Sequence, residues 1–152
     1  MARHIGPSPD EDYSSAPGFG GPCFDFKLSS SKVLIIEDDD SVSQVISDVL
    51  GGLGLCPVCC GTGADGLDTL QHLNGDVLCV ILDYQMPDIH ASRLVPQLKA
   101  VNPEIRIVLS SGYSRSHILG EYSLDGICDF IPKPFGVTEL LNMIGKLSQS
   151  TS

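Results

Sequence analysis

Four stretches of this 152-residue chain hold side chains that could do chemistry together. Glu37-Asp38-Asp39-Asp40 sets four carboxylates in a row directly after the apolar run Val33-Leu34-Ile35-Ile36, and Asp83 closes a second apolar run, Val77 to Leu82. Ser110-Ser111-Gly112 follows a third run, a hydroxyl beside a residue with no side chain to block approach. Lys133 stands between Pro132 and Pro134, where proline stiffens the turn. Carboxylates brought close together repel unless a cation holds them. Hard oxygen ligands with open positions for water suit Mg²⁺, at distances of about 2.0–2.1 Å. Carboxylates, such a metal, a hydroxyl donor and an ammonium form the set that phosphoryl transfer to a carboxylate requires: an oxygen nucleophile, positive charge against the equatorial oxygens, and a donor to the product. Asp83 is the expected nucleophile. An acidic run is otherwise a solvated loop or a helix start, and Asp39 and Asp40 are expected to keep that role.

These groups need one edge to meet on, and the hydropathy pattern supplies it. After Val33–Ile36, residues Val42, Val45, Ile46, Val49 and Leu50 recur at helical spacing up to Gly51-Gly52, which is read as the helix stop. Leu55 to Cys59 reads as a second strand, and Ala64, Leu67, Leu70 and Leu73 as a helix closed by Asn74-Gly75. Val77 to Leu82 is the third strand, with Leu94, Val95 and Leu98 on the helix after it. Ile105 to Leu109 is a fourth strand, followed by a weaker helical stretch around Ser116 to Tyr122. A short strand near Phe130-Ile131 precedes a last helix carrying Val137, Leu140, Leu141, Ile144 and Leu147. Continuous apolar strands, each followed by a helix, imply a parallel sheet covered on both faces, a doubly wound α/β domain. Its functional crevice lies outside the carboxyl ends of the strands, where all the residues above fall.

The domain is expected to span 32–148, with 149–152 a tail. Residues 1–31 hold Pro7, Pro9, Pro17, Pro22, a glycine cluster and Ser29-Ser30-Ser31 without apolar periodicity, the composition of a flexible leader. Nineteen acids against nine bases give a net charge of −10, a surface that repels phosphate backbones and anionic lipids, so no nucleic-acid or membrane partner is expected. The longest apolar run is far short of the roughly twenty residues of a membrane span. Met1-Ala2-Arg3-His4 leads into no secretory signal. A cytoplasmic setting follows as the expectation, with the six cysteines reduced. Cys56 and Cys59 have the spacing of half a zinc site or a redox pair, but no second pair accompanies them and they lie in a strand rather than at a helix start. Asp83-Tyr84-Gln85 lacks the second aspartate of haloacid-dehalogenase-type phosphatases, and no Gly-rich loop ending in Gly-Lys-Ser/Thr is present for a nucleotide.

In their order along five strands these residues resemble the receiver domain of two-component response regulators, over residues 32 to about 148. The family's acidic pair falls on Glu37 and Asp38, and its phospho-accepting aspartate with the following Met-Pro on Asp83-Tyr84-Gln85-Met86-Pro87. Its switch hydroxyl falls on Ser111, its switch aromatic on Phe130, and its Lys-Pro pair on Lys133-Pro134. Ser111-Gly112-Tyr113-Ser114 and Phe130-Ile131-Pro132-Lys133-Pro134-Phe135 look most like receivers attached to hybrid sensor histidine kinases, which would make the leader a linker from a kinase.

The resemblance implies a flavodoxin-like (βα)₅ sandwich with strand order 2-1-3-4-5. It also implies transfer of a phosphoryl group from a phosphohistidine, on a histidine kinase or histidine phosphotransfer protein, to Asp83. Mg²⁺ (or Mn²⁺) would be held by Asp38, Asp83 and the backbone carbonyl of Gln85, with Glu37 acting through a water. Lys133 would pair with a phosphoryl oxygen, and Ser111 and Phe130 would form the conformational switch. Such a module modifies itself and turns over no metabolite, and a homodimer through helix 4, strand 5 and helix 5 fits the family. The alternative is a receiver-like interaction module that works without phosphorylation. Two departures from the family stand out: Asp88, His90 and Ala91 follow the Met-Pro where Gly or Asp is frequent, implying a stiffer loop, and Tyr113 sits two residues beyond the switch hydroxyl.

Overall fold

A computed structural model describes residues 31–73, 77–121 and 126–150. Five strands and five helices alternate along it: β1 (Lys32–Ile36), α1 (Asp40–Gly52), β2 (Cys56–Cys60), α2 (Gly63–His72), β3 (Val77–Asp83), α3 (Ala91–Val101), β4 (Ile107–Ser111), α4 (Arg115–Glu121), β5 (Ile127–Pro132) and α5 (Val137–Ser150). All strand pairs are parallel, in the order β2-β1-β3-β4-β5, the expected doubly wound sheet. Residues 1–30 of the expected leader, the Asn74-Gly75 helix stop and Cys23 lie outside the described residues. The last helix runs two residues past the expected domain edge at 148.

Side chains alternate across a strand, so each strand feeds two cores. Val33 and Ile35 of β1, Cys79 and Ile81 of β3 and Val108 of β4 point to the face covered by α1 and α5, against Ile46, Leu50, Leu140 and Ile144. Leu34, Ile36, Val80, Leu82, Ile107 and Leu109 point to the other face, under Leu70 of α2, Leu94 and Leu98 of α3 and Ile118 of α4. Most of these side chains are fully buried. Each contributes about 1.5–3 kcal/mol relative to exposure, which is what holds the strand ends in fixed register.

Local chemistry explains where the elements start and stop. Asp39 caps α1 as expected: its Oδ1 accepts from the amides of Ser41 (2.9 Å) and Val42 (3.4 Å). The hydroxyl of Ser41 and these amides hold the Asp39 carboxyl below its usual range. The helix ends at Gly51-Gly52 as expected: these are its last two residues, the chain leaves at Leu53, and Gly54 follows at φ 86°, the left-handed conformation that glycine adopts without strain. β2 is an edge strand, which tolerates the missing amide of Pro57. Gly66 is where α2 closes onto β1, since a Cβ there would lie 2.4 Å from Cδ1 of Ile36. The cysteines at 56, 59, 60, 79 and 128 are all free thiols, as expected, and burial pushes Cys79 well above the usual thiol range.

Candidate functional site

β1 and β3 lie side by side, with Ile36 opposite Leu82, so the residues that follow them emerge together at the carboxyl edge of the sheet. One carboxylate oxygen each from Glu37, Asp38 and Asp83 lies within 4.8 Å of the others. Glu37 and Asp83 are buried and Asp38 is exposed, so the cluster is open to solvent on the Asp38 side. A buried pair of carboxylates beside a third is unfavourable without positive charge, and β5 delivers it. The Lys133 ammonium donates to Glu37 Oε1 at 2.9 Å and lies 3.4 Å from Asp83 Oδ1. To do so its side chain crosses the end of β4, which separates β5 from β3 in the sheet.

Two backbone amides complete the frame. The amide of Asp39 donates to Glu37 Oε2 at 3.2 Å, and that of Gln85 to Asp83 Oδ1 at 3.2 Å. Burial pushes the Glu37 carboxyl up to about 7, against the lowering effect of its bonds to Lys133 and the Asp39 amide, with Asp83 adding to the rise. Burial pulls the Lys133 ammonium down, but its bond to Glu37 and the charge of Asp83 outweigh it and leave the pKa raised. The folded protein therefore binds a proton at Glu37 more tightly than the unfolded chain does. The stabilisation is fully present below about 4.5 and is lost as pH rises through about 7. In chelator-containing buffer, the melting temperature is expected to fall between pH 5 and pH 8, with much of that slope absent in Glu37→Gln; thermal unfolding of both proteins across this range checks it.

β4 brings the hydroxyls. Ser110 is the register partner of Asp83 and Ser111 that of Pro132. Ser111 is buried, and its Oγ accepts from the Tyr113 amide at 2.9 Å. Ser110 Oγ is buried and has no hydrogen-bond partner among the described residues. Phe130 is partly buried against the α2–α4 core, with the Arg115 guanidinium 5.0 Å above its ring. An open cleft of about 290 Å³ is lined by Ser111, Tyr113, Arg115 and Phe130. Tyr113 is 44% exposed; its hydroxyl accepts from Gln85 Nε2 at 3.3 Å and its ring stacks on His117. The loop after β3 is tied down by Asp88, which accepts from the first amides of α2, and by His90, which caps α3. The structure thus brings Glu37, Asp38, Asp83 and Lys133 into one cluster, with Gln85 and Ser111 at its rim and Phe130 one cleft away.

Residues 33–145 match the response regulator receiver domain. The chain belongs to that family. Among curated relatives, the receiver is 27% identical over 118 residues to the sensor kinase CckA of Brucella abortus (strain 2308), covering 78% of this chain and 12% of that protein. It is 27% identical over 119 residues to the DNA-binding transcriptional regulator NtrC of Rhizobium meliloti (strain 1021), covering 78% of this chain and 24% of that one. The receiver thus spans a quarter or less of either relative. Among solved structures it superposes on the receiver domain of the hybrid histidine kinase CckA with a TM-score of 0.66 and 23% identity, over 78% of this chain and 99% of that one. It also matches the receiver domain of the sensor histidine kinase PA1611 of Pseudomonas aeruginosa PAO1, a structure with a magnesium ion in the active-site cleft, with a TM-score of 0.70 and 17% identity over 79% and 98% of the two chains. The chain is therefore a signalling module of two-component systems with a flavodoxin-like fold. No helix among the described residues is long and apolar enough to cross a membrane.

The Lys133–Glu37 ion pair was not visible in the sequence, because its partners stand 96 positions apart and are brought together only by the strand order. The Asp88 bond to α2 was equally hidden; the departure from the family pattern at that position was its one signal.

Proposed function

We propose that this receiver accepts a phosphoryl group on Asp83 from a phosphohistidine of a histidine kinase or a histidine phosphotransfer protein. The observation that carries the reading is the position of the Lys133 ammonium, within 3.4 Å of Asp83 and 2.9 Å of Glu37, beside three carboxylates gathered within 4.8 Å. An Asp83 carboxylate oxygen forms the new bond to phosphorus as the bond from phosphorus to the donor imidazole breaks, and the imidazole leaves with the electron pair and takes up a proton. The donor set suits Mg²⁺ (or Mn²⁺): Asp38, Asp83 and the backbone carbonyl of Gln85 would hold it, Glu37 through a water. When bound, the metal supplies positive charge against the phosphoryl oxygens.

Lys133 neutralises a further phosphoryl oxygen, exchanging its contact with Asp83 Oδ1 for one with the product. Ser111 then turns its hydroxyl from the Tyr113 amide to the phosphoryl group, and the cleft beside it gives Phe130 room to rotate inward. That event biases the surface of α4, β5 and α5, the face assigned to partner binding or homodimer formation. Residues 32–148 form this unit, after a Pro/Gly/Ser-rich leader or linker, and it works in the cytoplasm. The module turns over no metabolite.

Tyr113 stands beside the path of the water that hydrolyses the acyl phosphate, held by Gln85. Tyr113→Glu is expected to change the phosphoryl lifetime by several-fold, and the decay rate of the phosphorylated protein measures it; an unaltered rate removes this role. For the reading as a whole, the protein is incubated with acetyl phosphate and its intact mass followed. Gain of one phosphoryl group with Mg²⁺ and none in chelator is the expected result. Failure to gain phosphate, together with failure to bind beryllofluoride, would overturn it.

A further inference from the structure

The loop from β3 to α3 carries the Gln85 carbonyl, and one acid outside the carboxylate cluster ties that loop to α2. Asp88 Oδ1 accepts from the Gly63 amide at 2.9 Å and Oδ2 from the Ala64 amide at 3.0 Å, spanning 25 residues of sequence. These are the first two amides of α2, orphan donors at the positive end of that helix. The helix does not need Asp88 for its own cap, because Thr62 fills that role, its Oγ1 accepting from the Asp65 amide at 3.1 Å. The Asp88 bonds therefore serve as an anchorage for the loop. The contact beneath them is close: a Cβ at position 63 would lie 2.3 Å from Cγ2 of Ile89, so only glycine lets the loop rest on the helix.

From this geometry we infer that Asp88 is a positioning residue for the metal and phosphoacceptor site. It clamps the loop to α2 so that the Gln85 carbonyl and the Asp83 carboxylate keep one relative placement. Met86 and Ile89 pack the loop against the α2–α4 core, and polar contacts hold it at three points. The Gln85 amide is bound to Asp83 Oδ1 at its inner end, Asp88 to α2 in the middle, and at the outer end His90 Nδ1 accepts from the Ser92 amide at 3.0 Å. Releasing the middle point leaves the loop tied to α2 only through the packing of Ile89, which fixes its position less tightly than two hydrogen bonds to the helix. Mg²⁺ demands near-ideal octahedral geometry, and outer partners that orient ligands typically change metal affinity 10–100-fold.

The inference rests on the metal reading above, and its test separates the two. Backbone amide NMR shifts are followed during MgCl₂ titration of the wild type, Asp88→Ala, Asp88→Asn and Thr62→Ala, with melting temperatures for all four. Thr62→Ala loosens the same helix end without touching the loop. The expected result is a Kd for Mg²⁺ about tenfold weaker in Asp88→Ala, intermediate in Asp88→Asn, whose one remaining oxygen still accepts an amide, and within about twofold of wild type in Thr62→Ala. An Asp88→Ala protein that binds Mg²⁺ as the wild type does, or a Thr62→Ala protein weakened as much as Asp88→Ala, overturns the clamp alone. A wild type with no saturable shift overturns the metal site and the clamp together.

Discussion

Asp83→Asn is expected to gain no phosphoryl group from acetyl phosphate or from a phosphohistidine donor, under conditions where the wild type is expected to gain one. The carboxamide has nearly the shape of the carboxylate but lacks the anionic oxygen that must bond to phosphorus. The fold is expected to survive the change. Asp83 is one of the groups that raise the Glu37 carboxyl, so neutralising it removes a like charge from a buried site, while Lys133 keeps its 2.9 Å bond to Glu37. At pH 8 the variant's melting temperature should equal or exceed that of the wild type. Loss of phosphorylation alongside an intact melting transition therefore separates chemistry from folding, and intact mass and calorimetry read the two arms.

Lys133→Ala carries the second large effect. The ammonium contacts both Glu37 and Asp83, and no second basic side chain is found in ion-pair contact with either among the described residues. Removing a fixed positive group aimed at developing charge typically costs about 10²–10³-fold in rate, so phosphorylation by acetyl phosphate should slow by that order. Stability should fall in a pH-dependent way. At pH 8 the wild type holds an ionised Glu37 against Lys133, and its loss either strands that charge beside Asp83 or forces Glu37 to take up a proton, at a cost of up to about 3–5 kcal/mol. At pH 6 Glu37 already carries its proton in the wild type, whose carboxyl is pushed up to about 7, so less of the ion pair is there to lose and the cost shrinks. Stopped phosphorylation time courses and unfolding at the two pH values test both statements. Equal destabilisation at pH 6 and pH 8 would contradict the charge account.

Much of the site was legible because a parallel sheet places the residues after every strand at one edge. Once Val33–Ile36 and Val77–Leu82 are read as strands, Glu37, Asp38 and Asp83 must emerge together, and the five-strand rhythm puts Lys133 at the same level. Boundaries were unevenly legible. Gly51-Gly52 marks the end of α1 as read, since glycine is a poor helix former and the packing of Ile46 and Leu50 carries the helix no further than Gly52. The start of β4 is set at Ile107 by pairing with Val80, although Ile105 is just as apolar and buried. Long-range polar contacts left no local pattern: Lys133 to Glu37 and Asp88 to Gly63 both depend on which elements pack side by side.

The central claim is that one carboxylate, Asp83, takes the phosphoryl group, and chemical trapping reads this most directly. Borohydride reduces an aspartyl phosphate to homoserine and leaves free aspartates unchanged. Peptide mass mapping of the freshly phosphorylated, reduced protein then identifies the acceptor. Homoserine at position 83 and at no other aspartate is the predicted result. Homoserine at Asp38, or phosphate retained on Ser111 with Asp83 unmodified, would contradict it.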